Sequence, residues 1–250
     1  MKNMILVSGA GSGIGRAITI TLARADYPVL LLGRNKAALA ETLSMLDEPS
    51  KHASLVADMR DAGAIKTALK EIAPVLDGVV ANAGLGGENH YGANDRWSEI
   101  IETNLTGTYQ LVREALPYFA SKDDGYRQIV IVSSILARLG VPGYSAYCTS
   151  KAGLLGLMRS WAVEFAAENI LVNAIAPGWV STEMATQGLE TFAESAGKSY
   201  EEIYAEQMSV VPLGKMSTPD EVAELVRYML SQTSMTGQTV DFNNGAIMPA

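Results

Sequence analysis

The sequence predicts an α/β fold built on one doubly wound parallel sheet with helices on both faces. Three observations predict it. Short apolar runs alternate with longer amphipathic stretches along the chain, the order expected of strand–helix–strand units joined by right-handed crossovers. Several of the runs are apolar on both faces, as in strands covered by helices on either side. A glycine-rich turn joins the first run to the stretch that follows, the place where open α/β sheets hold phosphate groups against a helix N-terminus.

Taken in order, residues 4–8 form the first expected strand and residues 15–25 the helix after the glycines. A wholly apolar run at 29–32 is the second strand, followed by a helix over 36–46. A strand at 54–57 leads to a helix at 62–72, and a strand at 78–81 to a long helix at 97–119. The last three strands are expected at 129–133, 171–175 and 239–242, with helices at 146–167 and 219–231, the latter opening on Pro219 in its first turn. One stretch breaks the alternation. Residues 181–213 contain no strand, and mix Met184, Leu189, Phe192, Tyr200, Ile203 and Tyr204 with Glu190, Glu194, Glu201 and Glu202. That pattern fits short amphipathic helices, with Gly188 and Gly197 permitting bends, and a long excursion of this kind is expected to be a mobile lid. With no repeat or linker, residues 1–250 are read as a single domain.

Composition narrows the function. A chain of 250 residues with 48% hydrophobic and 18% charged residues has material for a large core. A net charge of −8 gives no help toward a phosphate backbone, so nucleic acid is not an expected partner. Cys148 is the sole cysteine, which excludes an intramolecular disulfide and a thiolate metal cluster, and the two histidines, His52 and His90, lie far apart. No metal site is expected. Met1-Lys2-Asn3 runs straight into an apolar strand without a secretion signal, and no segment approaches ~20 apolar residues. The expected location is the cytoplasm, away from membranes.

The glycine-rich turn reads Ser8-Gly9-Ala10-Gly11-Ser12-Gly13-Ile14-Gly15. Its glycines follow a G-x-x-x-G-x-G spacing at Gly9, Gly13 and Gly15. The commoner G-x-G-x-x-G fails, because Ile14 or Arg16 occupies the final glycine position in either frame, and no Gly-Lys-Ser/Thr marks a phosphate-loop NTPase. The second strand ends in Gly33-Arg34-Asn35. An acidic side chain there would hold the ribose 2′-hydroxyl of NAD(H), whereas an arginine can pair with a 2′-phosphate. Arg34 therefore favours NADP(H) over NAD(H).

Tyr147 and Lys151 stand four apart at the start of an expected helix and share one face. A free phenol has a pKa of about 10, and a nearby ammonium favours its ionised form. Ser134, at the end of a strand upstream, could donate to a carbonyl oxygen. With these residues the chain resembles the short-chain dehydrogenase/reductase family over essentially its whole length, 3-oxoacyl reductases and related carbonyl reductases in particular. The resemblance implies a Rossmann-type fold and a nicotinamide cofactor. It implies that Gly9, Ser12, Gly13, Ile14 and Gly15 line the cofactor loop, that Asp58-Met59 flank the adenine, and that Asn82-Ala83-Gly84 support the central sheet. In Pro177-Gly178-Trp179-Val180-Ser181-Thr182, Val180 and Thr182 would bind the nicotinamide carboxamide. Asn104 would hold a proton-relay water, Ser134 would orient the substrate oxygen, and Tyr147 would exchange its proton. Lys151 would bind the nicotinamide ribose and lower the tyrosine pKa. A homo-oligomer, a tetramer, is expected from the same resemblance, as the long helices at 97–119 and 146–167 pair across two-fold axes in the family.

The substrate is expected to be a small carbonyl compound, its alcohol, or a 3-oxoacyl thioester. Ile135, Leu136, Val141, Tyr144, Trp179 and Met184 form a largely apolar candidate wall, and Arg138 is the nearest arginine to it. Two departures stand out. Asn243-Asn244-Gly245 occupies a turn where relatives often carry aspartate and two glycines, and Glu168-Asn169 stands where carrier-protein reductases often place a basic residue. The reading is thus an NADP(H)-dependent oxidoreductase, with an NAD-linked secondary alcohol dehydrogenase and a non-catalytic dinucleotide-sensing protein as alternatives.

Overall fold

The computed structural model describes residues 2–248; of the single domain expected over 1–250, residues 1, 249 and 250 lie outside them. A seven-stranded sheet of order β3-β2-β1-β4-β5-β6-β7 forms the centre, and every pairing in it is parallel. The strands are β1 Met4–Ser8, β2 Val29–Gly33, β3 Ala53–Val56, β4 Leu76–Ala81, β5 Arg127–Val132, β6 Ile170–Pro177 and β7 Thr239–Phe242. The expected fold class is the observed one.

The alternation of side chains along the strands splits the core in two. Leu6, Leu32, Val79, Ile129 and Ile131 face one way, onto Ile65 and Leu69 of α3 (Ala62–Ile72), Leu111 and Val112 of α5 (Gly107–Ala115) and Leu154, Met158 and Trp161 of α6 (Ser145–Glu164). Ile5, Val7, Leu31, Val80 and Val130 face the other, onto Ile18 and Leu22 of α1 (Gly13–Arg24), Leu39 of α2 (Lys36–Ser44) and Val226 and Met229 of α9 (Pro219–Leu230). Strands buried on both faces need apolar residues at every position, which is why they read as continuous runs. The chain turns back at β1, whose neighbours are β2 on one side and β4 on the other. The carboxyl ends of β1 and β4 therefore open into a crevice, the usual ligand site of such sheets.

Two details differ from the sequence reading, the winding of the helix at 97–119 and the part played by Gly188. The helix expected over 97–119 is wound in pieces: α4 (Trp97–Ile101), a π-helical turn at Glu102–Thr106, α5, and a 3-10 turn Leu116–Tyr118 around Pro117. Periodicity reports one continuous apolar face and is blind to a change of winding inside it. Residues 181–213 fold into α7 (Glu183–Ala196) and α8 (Tyr200–Ser209). Gly188 does not bend the chain: it lies inside α7, where a side chain would meet open space, and a helix absorbs a glycine for about 1 kcal/mol. Gly197, with φ of +63°, does end α7, as a left-handed C-terminal residue should. Among the described residues no helix is long and apolar enough to cross a membrane.

Candidate active site

The crevice is built first from the glycine turn. Gly9 and Gly13 have φ of +68° and +50°. A Cβ on Gly15 would fall 2.1 Å from the Gly9 carbonyl oxygen, so nothing larger fits there. Asn82, just past β4, ties the turn to the sheet: its Nδ2 donates to the Ser8 carbonyl at 3.0 Å, and the Asn82 and Ala83 amides both donate to Ser8 Oγ at 3.0 Å. These bonds hold the ends of β1 and β4 at a fixed spacing.

The first turn of α1 suits an anion. Ser12 at its N-cap makes no side-chain cap bond, and no acidic residue lies in that turn. Its amides therefore keep unclaimed donors beside the positive end of the helix dipole. A Cβ on Gly13 would meet only Thr182, whose Cγ2 is 3.4 Å away. The amides of the α1 N-terminus thus lie beside the start of α7, and a dinucleotide's diphosphate fits their chemistry. Thr182 itself caps α7 by accepting from the Ala185 amide at 3.3 Å and also donates to the Val180 carbonyl at 3.3 Å.

At the far end of the crevice, Arg34 is half-exposed and stands 3.7 Å from the Asp58 carboxylate. Asp58 is held more closely by Arg60, at 2.7 Å, and the Arg60 hydrogen bond is the main reason its carboxyl falls to about 2. Arg34 is thus a weakly engaged guanidinium beside the expected ribose position, and Arg60 is a participant that the sequence reading did not single out. Arg16 is committed elsewhere, to the Gly11 carbonyl at 2.7 Å and to Glu41. Met59 is buried in the core, with Cβ 2.9 Å from where a side chain on Gly107 would begin, so only its backbone can face a ligand.

Ser134, Tyr147 and Lys151 meet at the carboxyl end of β5. Ser134 follows the strand and caps a 3-10 turn, its Oγ accepting from the Leu136 amide at 3.1 Å. Tyr147 and Lys151 lie one turn apart in α6, with Lys151 Nζ 5.6 Å from the Tyr147 ring centre. Lys151 is buried and donates to the Val132 carbonyl at 3.0 Å; burial pushes its ammonium down to about 8. Tyr147 is partly exposed as a residue, yet burial raises its phenol above the ordinary value, and the Ser134 hydrogen bond works against that rise. The expected lowering by Lys151 is therefore corrected: desolvation outweighs any pull from an ammonium that points at a strand carbonyl.

Asn104 sits in the π-helical turn and is wholly buried. Its Oδ1 accepts from the Leu85 amide at 2.7 Å, and its Nδ2 donates to the Leu85 carbonyl at 2.9 Å and to Ser150 Oγ at 3.1 Å. The side chain thus joins the loop after β4 to α6. A Cβ on Gly84 would lie 3.2 Å from Asn104 Oδ1 and 3.5 Å from Lys151 Nζ, which places Ala83-Gly84 beside the lysine.

The apolar wall is partly assembled. Tyr144 meets Tyr147 edge-on at 6.4 Å and Phe192 at 5.9 Å, and Phe192 meets Trp179 at 6.5 Å. Phe192, from α7, joins the two expected wall residues and was itself read only as part of the 181–213 segment. Met184 packs on the loop after β4, its Sδ 3.0 Å from a Cβ placed on Gly86. Ile135 and Leu136 occupy the turn after Ser134, and the Val141 carbonyl accepts from the Tyr144 amide. Arg138 pairs with both oxygens of Asp241 at 3.0 and 3.1 Å and is not free to meet a substrate carboxylate. Pro177 ends β6, and Val180 is buried where it pairs with Ser217.

A sequence profile described as short chain dehydrogenase matches residues 3–191. The chain is 31% identical to the 3-oxoacyl-[acyl-carrier-protein] reductase FabG of Thermotoga maritima, with 97% of each covered. It is 32% identical to the (3R)-3-hydroxyacyl-CoA dehydrogenase of Mus musculus, over 98% of this chain and 96% of the other. Among solved structures, a variant of actinorhodin polyketide ketoreductase with NADPH superposes with a TM-score of 0.91 at 30% identity, covering 98% of this chain and 97% of that one. A 3-oxoacyl-[acyl-carrier protein] reductase from Brucella melitensis with bound NAD gives 0.84 at 29% identity, covering 99% and 92%.

Proposed function

Since the chain belongs to the short-chain dehydrogenase family, we propose that it is an NADP(H)-dependent oxidoreductase interconverting a ketone and a secondary alcohol, the ketone being a small carbonyl compound or a 3-oxoacyl thioester. The observation that carries this reading is the meeting of Ser134, Tyr147 and a buried Lys151 beside the glycine turn. The relatives named above, reductases and dehydrogenases of 3-oxoacyl and 3-hydroxyacyl substrates, support the ketone–alcohol chemistry. Solved structures with NADPH and with NAD support a nicotinamide dinucleotide. Arg34 supports the phosphorylated form, because its guanidinium has only a 3.7 Å partner and can take a bidentate phosphate.

Gly9, Ser12, Gly13, Ile14 and Gly15 would hold the diphosphate, Asp58 and the Met59 backbone the adenine end, and Asn82, Ala83, Gly84 and Pro177–Thr182 the nicotinamide end. A dinucleotide held there would supply the hydride chemistry at the substrate carbon. The chain's own residues manage the oxygen. Ser134, whose Oγ accepts from the Leu136 amide, has one hydroxyl proton, which serves the Tyr147 oxygen and would turn to the substrate carbonyl when one is bound. The raised phenol of Tyr147 is protonated at neutral pH and so is set to give its proton to the developing alkoxide. Lys151, with a pKa of about 8, is largely charged at neutrality and would hold the nicotinamide ribose. Proton donation of this kind contributes about 10²–10⁴-fold. A cytoplasmic location is part of the same reading.

The test is a panel of ketones and alcohols with NADPH and NADH, followed at the nicotinamide absorbance. NADPH should bind more tightly than NADH, and Tyr147→Phe should lower turnover at least ~10²-fold with NADPH binding nearly unchanged. A Tyr147→Phe protein with half its activity rejects the assignment, and tighter binding of NADH rejects the role of Arg34.

A further inference from the structure

The turn after β7 carries Asn244, and its contacts give that side chain a use. Asn244 has φ of +55°, a conformation that glycine adopts freely and asparagine tolerates better than most residues. Its side-chain Nδ2 donates to the Lys215 carbonyl at 2.9 Å and to Ser217 Oγ at 3.1 Å, while its carbonyl accepts from the Leu213 amide at 3.2 Å. One residue thus grips three positions on the stretch that returns from α8 to α9.

The grip continues into the site. Ser217 is buried; its amide donates to the Trp179 carbonyl at 2.9 Å, and its carbonyl accepts from the Ser181 amide at 2.9 Å and from Ser181 Oγ at 3.3 Å. These bonds flank the Val180–Ser217 bridge. The departing and returning ends of residues 181–213 are therefore stitched to each other, and Asn244 ties the stitch to β7. From the other side, the Gly178 amide donates to the Phe242 carbonyl at 3.0 Å, and a Cβ on Gly178 would lie 3.0 Å from Asn243 Cα. Asn243 Oδ1 accepts from the Gly245 and Ile247 amides and keeps the turn closed.

We propose that Asn244 is a positioning residue whose side-chain amide, by clamping residues 215 and 217 to the end of β7, holds Trp179 and Val180 in place against substrate and dinucleotide. The proposal deepens the function proposed above and rests on it for what is positioned; the clamp itself can be read without turnover. A glycine would keep the backbone conformation and lose the clamp. An aspartate would keep the size and lose the donor, turning an oxygen toward the Lys215 carbonyl.

The experiment compares Asn244→Gly and Asn244→Asp with the parent protein. Amide hydrogen exchange without ligand should rise at least about tenfold over residues 179–182 and 213–217 in both variants, and not in β5 or α6. NADPH dissociation constants, read by fluorescence, and KM for the best ketone should rise about three- to tenfold, the scale of one or two hydrogen bonds. Turnover number should stay within about twofold, because Ser134 follows β5 and Tyr147 and Lys151 lie on α6. Parent-like exchange over 213–217, or faster exchange with unchanged NADPH affinity and KM, overturns the proposal whatever the melting temperature does. A parent protein that turns over no carbonyl rejects the proposed function instead, and exchange with NADPH affinity still decides the clamp.

Discussion

Lys151 carries an ammonium at 4% exposure that, among the described residues, donates to the Val132 carbonyl. Its pKa falls from 10.5 to about 8 through burial, which corresponds to a cost on the order of 3 kcal/mol for keeping it charged in the fold. The folded value lies below the unfolded one, so the unfolded chain binds the proton more tightly. Stability therefore carries the full cost below about pH 8 and recovers as pH rises from 8 toward 10.5. Lys151→Met should raise unfolding free energy at pH 7 by about 1–3 kcal/mol and flatten its rise above pH 8, while removing activity, a trade common at functional sites. Urea denaturation at pH 7, 8, 9 and 10 checks this. A variant less stable at pH 7, or one with the parent's pH slope, would show that the ammonium is not under strain. Asp58 has the opposite sign: its carboxyl, held near 2 by Arg60, stabilises the fold above its ordinary value, and that contribution is lost as pH falls from 3.8 toward 2.

At the scale of elements, α7 and α8 pack chiefly on each other and not on the sheet. Leu189 and Ala193 of α7 and Ile203 of α8 form a small cluster of their own, against which Trp179, Phe192, Tyr200, Tyr204 and Met216 pack. Each helix starts on a capped residue, Thr182 for α7 and Ser199 in a full capping box for α8, so the pair can move without losing its ends. One end of the pair lies beside Gly13 through Thr182, and Phe192 reaches Tyr144. A lid that closes by moving α7 would complete the wall and exclude water from the reacting carbon. Hydrogen exchange with NADPH and a substrate analogue should show protection across 181–213. Unchanged exchange there, with protection elsewhere in the crevice, would leave these helices as a fixed surface feature.

At the scale of the whole molecule, the described surface leaves apolar area on the helices of one face. Val163 on α6 is 81% exposed, and Trp97 on α4 and Tyr109 on α5 are 41% and 44% exposed. Tyr109 stacks on Trp161 at 6.2 Å, and Trp161 on Phe165 at 6.0 Å, so α5 and α6 share an aromatic ridge. A self-complementary contact across a two-fold axis would cover such helices. The expected assembly is a tetramer made of dimers, with a light-scattering mass about four times the 26.6 kDa chain. A monomeric mass at micromolar concentration excludes it.

The sequence by itself determined the sheet, because strands buried on both faces and helices buried on one leave unlike apolar periods, and those periods depend only on neighbouring residues. The glycine turn was legible as a local pattern next to an element end, whereas Ser134, Tyr147 and Lys151 took their roles from the family resemblance, the four-residue spacing alone showing only that Tyr147 and Lys151 share a helix face. The tertiary structure alone decided what depends on residues far apart in the chain. The π-helical turn at Glu102–Thr106 holds Asn104, whose amide meets Leu85 and Ser150. Arg138 is taken by Asp241, Asp58 is held by Arg60, and Phe192 joins Tyr144 to Trp179. The direction of the Tyr147 shift belongs here too, since Tyr-x-x-x-Lys spacing places an ammonium nearby but says nothing of burial. Burial is a sum over every element packed around the phenol, and only the folded chain performs that sum.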